Sequence, residues 1–324
     1  MTPTAGSRGT AAARPLGLLL GYVADLAFGD PRRGHPVAGL GQAMAALERP
    51  LYVDHRPAGA LHVGLAVGIV VSVSAGAERL LRGRPVLHTV VTAAATWAVL
   101  GGRSLRAEAA AIDGQLRRGD LPAARVQITH LVGRDPSTLD DAGIARACVE
   151  SVAENTSDAV VGPLFWGAIA GLPGLVGYRT INTLDAMIGH RSQRYLRFGW
   201  AAARVDDVAN LLPSRVSAAV VLTLAPLFGG RAAAAWRVVR RDAGRHPSPN
   251  AGPVEAAFAG ALGLTLGGVN TYGDTVEDRG TLGDGPAPRP TDIPRAARLS
   301  AAVGGVSAGL AVLVAAMTAR CRRW

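Results

Sequence analysis

The chain is 324 residues long, has a net charge of +10 and is only 18% charged, with positive mean hydropathy. A soluble globular chain carries roughly 25% charged residues, so the composition argues for close-packed helices in a bilayer. Every basic residue is arginine, which excludes a Walker A loop and a Schiff-base lysine, and the scattered arginines carry no zinc-finger, RNP or basic-helix pattern for nucleic acid.

Residues 1–14 read as a flexible tail, followed by an uncleaved first helix, because Asp25 and Asp30 interrupt any signal-peptide pattern. Asp25, Asp30-Pro31-Arg32-Arg33 and His35-Pro36 form a polar knot. It is either a proline-fixed helix end or a site that uses His35. Beyond it, stretches free of formal charge run over Pro57–Ala77, Pro85–Gly102, Ala159–Tyr178, Val216–Gly230, Ala256–Gly273 and Leu299–Ala319. About 20 apolar residues cross the hydrocarbon core as a helix, and the first and last stretches meet that length. Pro85–Gly102 partners the first across the basic link ERLLRGR. Val216–Gly230 is short and Ala256–Gly273 ends polar, so each is a span, a buried core helix or a partial insertion.

Ala159–Tyr178 is long enough to cross, but Pro163, Pro173 and five glycines break its helical continuity. Broken backbone at membrane depth needs protein or a water-filled cavity around it. The segment therefore predicts a bent or re-entrant element lining a site. If the polar knots form one cytoplasmic site, it enters and leaves by one face.

Arg103–Asp158 looks soluble. It predicts helices over Arg103–Arg118, Leu121–Leu131 and about Thr138–Glu154, the last behind overlapping capping-box patterns. Residues 274–294 read as a flexible loop, and 295–324 as a final transmembrane helix with a basic tail. No strand alternation of length and no internal repeat stands out. The expectation is an all-α, multi-pass helical membrane protein with a re-entrant or broken helix and a soluble-facing helical region, in which residues 15–273 form one membrane and catalytic domain.

The chemistry concentrates in the connecting segments. Glu150 and Glu154 are four apart and share a helix face, with Asn155 and Asp158 following. They are either a solvated acidic face or a site for Mg²⁺ or another cation, since hard ions take oxygen ligands. Tyr178–Arg215 is dense in Arg, Asp and Asn. Within it Arg204 and Asp207 can pair, and Asp206 and Asn210 share a face. The loop HPSPNAG offers Ser248 and Asn250 behind several arginines. Cys148 and Cys321 have neither disulfide nor zinc spacing.

At these knots the sequence resembles the CbiB/CobD family, adenosylcobinamide-phosphate synthase of cobalamin biosynthesis. The blocks are DLAFGDPRRGHPV, GRDPSTLD, the long run from VESVAENTSDAVVG to NLLPSR, and HPSPNAGPVEAAFAGALGLTLGG. The resemblance implies an integral plasma-membrane enzyme with its site facing the cytoplasm. It would join a carboxylate of adenosylcobyric acid to aminopropanol or its phosphate, coupled to ATP with Mg²⁺. It implies Glu150, Glu154, Asn155, Asp158, Asp185 and His35 as catalytic candidates. Asp206 and Asp207 become metal candidates, and Arg134, Asn182, Arg204, Arg215, Ser248 and Asn250 substrate or phosphate binders. The implied partners are the corrinoid and amine substrates, the lipid bilayer and other enzymes of the pathway. The CobD label also covers a pyridoxal-dependent decarboxylase, which a lysine-free chain excludes. A transporter, or a scaffold without chemistry of its own, is the alternative reading.

Overall fold

The computed structural model describes residues 5–31, 34–133, 135–190, 192–272 and 275–321. They are mostly helical. Five helical stretches are long and apolar enough to cross a membrane: Arg56–Leu81, Pro85–Arg117, Asp141–Gly189, Trp200–Phe228 and Pro290–Ala319. The backbone divides into two units, one of 1–101, 162–210 and 307–324, the other of 102–161 and 211–306. The reading of 15–273 as one domain does not follow this division.

The first unit holds α1 (Ala5–Phe28), α2 (Pro36–Leu51), α3 (Arg56–Leu81) and α4 (Pro85–Val99), with α8 (Gly162–Leu184) among them. The α1 helix starts inside the segment expected as a tail. Gly17 and Gly21, one turn apart, let its backbone lie directly against Thr92 and Thr96 of α4, the small-residue contact that brings membrane helices together. Exposed apolar side chains concentrate here, among them Leu20 on α1, Ile69 and Val73 on α3, and Val86 and Val90 on α4. A patch of that extent in water marks an interaction surface or an aggregation hazard. In a bilayer it is the lipid-facing surface, and the chain is a multi-pass membrane protein.

The broken segment turns back on itself. Gly171 has φ 70° and ψ −147°, a non-helical break inside α8. The two arms then run side by side: a Cβ on Gly162 would meet the Tyr178 ring, and one on Gly174 would meet the Trp166 carbonyl. Ala159–Tyr178 is therefore a broken helix that doubles back at Gly171, and Asp141–Gly189 is not one straight rod despite its length. A buried ion pair secures the turn. Arg14 meets Glu78 at 2.6 Å, and the other Glu78 oxygen accepts the Leu172 N–H at 3.0 Å, which caps the second arm where its amides would otherwise go unsatisfied.

The second unit has its own core. It contains α5 (Gly102–Arg117), α6 (Leu121–Ile128), α7 (Asp141–Thr156), α10 (Ala232–Asp242) and α11 (Ala251–Leu262). The later part of α9 (Trp200–Leu224) and the first part of α12 (Ile293–Cys321) belong to it too. Ile112, Ile128, Ile144 and Phe258 are fully buried in that core. The three soluble helices stand close to their expected places. The N-cap of α7 is Asp140, whose Oδ1 accepts the Gly143 N–H at 2.8 Å. The first part of Ala256–Gly273 is core helix rather than span: α11 is buried all round and stops at Gly263, whose φ of 68° ends the helix.

The expected flexible loop is partly a strand. Leu266–Tyr272 (β1) and Thr275–Leu282 (β2) pair antiparallel, with an irregularity between Gly267 and Val269. Its glycines hide the two-residue alternation, and the register comes from tertiary contacts instead. Asp242, fully buried, accepts the Gly283 N–H at 3.0 Å and pairs with Arg241 at 2.7 Å. The Arg241 hydrogen bonds, helped by Gly283 and Arg245, hold the Asp242 carboxyl below the usual carboxylate range.

Candidate functional site

In the second unit α7 and β2 form the walls of a polar cleft of about 120 Å³. Glu150, Ser151 and Glu154 line it from α7, Arg279 from β2, and Leu131 and Val132 from the loop after α6. Glu150 and Glu154 share a face because they are one turn apart. Glu150 is 3% exposed; its Oε1 accepts the Gly267 N–H at 2.9 Å and lies 3.8 Å from Arg146. It therefore fixes the β-hairpin on α7 as well as lining the cleft. Glu154 is half-buried. Asn155 donates back to the Ser151 carbonyl and hydroxyl at 3.0 and 3.1 Å.

Behind Arg279 lies a charged group that no local pattern in the sequence marks. Glu255 on α11 is fully buried, with its Oε1 3.7 Å from His246 Nε2 and 3.9 Å from Arg279 Nη1. The Ser248 N–H donates to His246 Nδ1 at 3.0 Å, so the ring proton sits on Nε2. Burial, with Arg279 nearby and despite the Ser248 hydrogen bond, pushes His246 down to about 4.

The unfolded chain takes up a proton on this histidine near pH 6.5, while the native one stays neutral until about pH 4. Stability contributed by His246 is therefore full above pH 6.5 and lost as pH falls toward 4, by up to about 3 kcal/mol. The melting midpoint of the detergent-solubilised protein is expected to drop over that window. His246→Gln should flatten the drop, and an unchanged slope would contradict the assignment.

In the first unit a second polar set gathers. Tyr178 donates to Asn210 Oδ1 at 2.7 Å, and Asn210 donates to Asp206 Oδ2 at 2.9 Å. Asn182 turns toward Asp206 from the hairpin, and Asp185 is close enough to act on it electrostatically. Asp206 Oδ1 is buried without a hydrogen bond. Asp207 points elsewhere and pairs with Arg204 at 3.6 Å. The helix spacing foretold both contacts, Asp206 with Asn210 and Arg204 with Asp207.

Other candidates also make local structural contacts. His35 is the N-cap of α2, its Nδ1 accepting the Val37 N–H at 3.1 Å and its Nε2 3.5 Å from Asp30. The Ser248 hydroxyl accepts the N–H groups of Asn250 and Ala251 at 3.3 and 3.2 Å in the turn that leads into α11. Arg215 donates to Asn250 Oδ1 at 2.9 Å and to Ser214 Oγ at 3.0 Å. Its side chain is thus anchored at one edge, in a residue that is otherwise exposed. Arg134 lies outside the described residues.

Asp158 and Asp185 share a setting, and it corrects the expectation of no internal repeat. Asn155–Gly162 and Asn182–Gly189 both read N-T-x-D-A-x-x-G. Each coils into a π-helix at its aspartate, over Ser157–Val161 and Asp185–Gly189. Single π-turns inside helices concentrate at functional sites. The repeat is only eight residues long, so it shows when the two octapeptides are aligned and not in the periodicity of the whole chain. Among the described residues no three His, Cys, Asp or Glu side chains gather in a metal-binding group.

A multi-pass helical bundle with a broken helix that doubles back, joined to a helical unit that holds a carboxylate- and arginine-lined cleft, defines a class of integral membrane protein. The family model described as CobD/Cbib protein matches residues 18–300. The chain belongs to that CobD/CbiB family. It is 53% identical over 302 residues to "Cobalamin biosynthesis protein CobD" of Mycobacterium tuberculosis H37Rv, covering 93% of this chain and 96% of that one. It is 44% identical over 275 residues to the protein of that name from Geobacter metallireducens, covering 82% and 86%. No solved structure matches the chain.

Proposed function

We propose that this protein acts in cobalamin biosynthesis by forming an amide between a carboxylate of adenosylcobyric acid and (R)-1-amino-2-propanol or its phosphate, driven by ATP. The family supports the pathway. The observation that carries the chemistry is the cleft, which sets Glu150 and Glu154 opposite Arg279 and so suits a small amine that must be held and deprotonated.

Amide formation from a free carboxylate is uphill in water. The carboxylate first attacks the γ-phosphorus of ATP, giving an acyl phosphate and ADP. The amine arrives as an ammonium ion, and half-buried Glu154 takes its proton. The free nitrogen then attacks the acyl carbon, the C–O bond to phosphate breaks, and the departing phosphate takes the nitrogen's second proton to leave as hydrogen phosphate. The anchored, exposed guanidinium of Arg215 suits phosphate oxygens. The product is adenosylcobinamide or its phosphate.

Mg²⁺ suits the first-unit aspartates, Asp206 and Asp207, with Asp185 close enough to act on Asp206. Such sites use one or two carboxylates with waters and substrate phosphates, and buried Asp206 Oδ1 beside Asp185 is an oxygen donor without a hydrogen bond. The ion, when bound, would neutralise charge developing on the transferred phosphoryl group. With ATP as co-substrate, the cleft belongs on the cytoplasmic side of the plasma membrane, where other enzymes of the pathway can deliver the corrinoid. Purified protein with adenosylcobyric acid, each amine, ATP and Mg²⁺ should make the amide with one ADP released per product. Glu154→Gln should lower turnover about 100-fold or more with little change in amine affinity. Normal turnover in that variant would remove Glu154 from the role.

A further inference from the structure

We propose that α10 is a membrane-surface helix whose outward arginines, Arg231, Arg237 and Arg240, bind the phosphates of anionic lipid headgroups. This role is independent of the synthase chemistry. Residues 231–245 carry five arginines and one acid, Asp242. Asp242 is fully buried and pairs with Arg241 and Arg245 at 2.7 and 3.1 Å, and Arg241 also meets Asp284 at 2.7 Å. The other three arginines are exposed, and among the described residues their guanidinium groups have no ion pair or hydrogen bond.

Their placement follows from the helix period. Ala235, Val238 and Asp242 are buried at i, i+3 and i+7, and a Cβ on Gly260 of α11 would meet the Ala235 backbone. The opposite face looks outward. It carries Trp236, 51% exposed, with Arg237 beside it and Arg240 one turn on. Arginines around an exposed tryptophan on an amphipathic helix suit the bilayer interface, where the indole sits at headgroup level and the charges meet phosphate.

The chain also sets α10 at the end of an apolar run. Trp200–Phe228 is long and apolar enough to cross a membrane, and only residues 229–231 separate it from Ala232, the first of α10. Four such steps reach about 14 Å at most, and this connection is folded, with the Gly230 N–H donating to the Ala225 carbonyl at 3.0 Å. Leu227, 77% exposed, stands at the same turn. A second candidate span, Pro290–Ala319, starts there too: Arg295 donates to the Phe228 and Leu262 carbonyls at 3.4 and 3.0 Å. The headgroup layer is about 5–8 Å deep on each face, so the first turn of α10 lies in it or beside it. A lipid phosphate there meets guanidinium groups that no acid of the described chain neutralises. Leu227 and Trp236 favour lipid over a soluble polyanion, which offers no acyl chain to cover them.

The test uses the full chain reconstituted in vesicles of phosphatidylcholine and phosphatidylglycerol, with bromine on the acyl chains of one lipid at a time. Bromine quenches a tryptophan that it touches, and the difference between wild type and Trp236→Phe isolates the Trp236 emission. That emission should be quenched, with phosphatidylglycerol favoured about 10-fold over phosphatidylcholine at low salt and less at high salt. The triple variant Arg231→Gln/Arg237→Gln/Arg240→Gln should bring the preference close to one. Arg231→Lys/Arg237→Lys/Arg240→Lys, which keeps the charge, should retain most of it. Trp236 emission indifferent to brominated lipid overturns the proposal, and so does an unchanged preference in the glutamine variant. An RNA oligonucleotide or acidic peptide that shifts this emission where lipid does not would assign the face to a soluble polyanion instead.

Discussion

Gly171→Val is expected to leave little folded protein, the largest stability effect of any single substitution considered. At φ 70° and ψ −147° the residue occupies backbone space that side chains with a Cβ rarely enter, and holding them there costs about 1–3 kcal/mol. The added carbon would also overlap the Glu78 carboxylate and come within 2.7 Å of Arg14 Nη2. Parting that buried pair costs a further 3–5 kcal/mol or so, because each charge is left without its partner. The sum approaches the whole stability of a typical domain, about 5–15 kcal/mol. Size-exclusion profiles and melting midpoints in detergent provide the readout. Gly64→Ala on α3 is the control: nothing lies within 4 Å of its added Cβ, so it should be neutral or raise stability slightly. A Gly171→Val protein as stable as that control would refute the turn at Gly171.

Asp206→Asn should do the opposite on the two axes, removing activity while raising stability. Asp206 faces Asp185 in a site where Asn210 satisfies one of its oxygens and the other has no hydrogen bond. Two carboxylates held close without water repel one another, an arrangement that stability alone does not favour. Neutralising one keeps the Asn210 hydrogen bond and removes the repulsion, which should stabilise by about 1 kcal/mol. If the pair holds the cation that serves phosphoryl transfer, turnover should fall by at least about 100-fold. Asp207→Asn, which weakens a 3.6 Å pair with exposed Arg204, should cost less stability than the buried Arg14–Glu78 pair would. Loss of both folding and activity in Asp206→Asn would make the residue structural.

The membrane helices were legible because lipid demands long apolar runs, and the hairpin because Pro163, Pro173 and the glycines contradict a straight span. Contacts one helical turn apart were legible too, as Arg204 with Asp207 and Asp206 with Asn210 show. What the sequence hid depends on distance along the chain. Glu150 meets Gly267 across 117 positions, and nothing local in GLTLGG or TVEDRG announces a hairpin docked on α7. Arg279 and Glu255 stayed hidden for the same reason, one in an apparent loop and the other in a run of alanines. His35 stood out as a chemistry-bearing residue and is also the N-cap of α2, a role that polar side chains beside a helix start often fill.

The central claim, amide synthesis through an acyl phosphate, is tested most directly by oxygen tracing. Adenosylcobyric acid labelled with ¹⁸O in its free carboxylate is incubated with the purified protein, amine, ATP and Mg²⁺. The account predicts an amide retaining one label and inorganic phosphate carrying the other. Label in AMP would contradict the acyl-phosphate step, and the absence of any amide with either amine would contradict the claim itself.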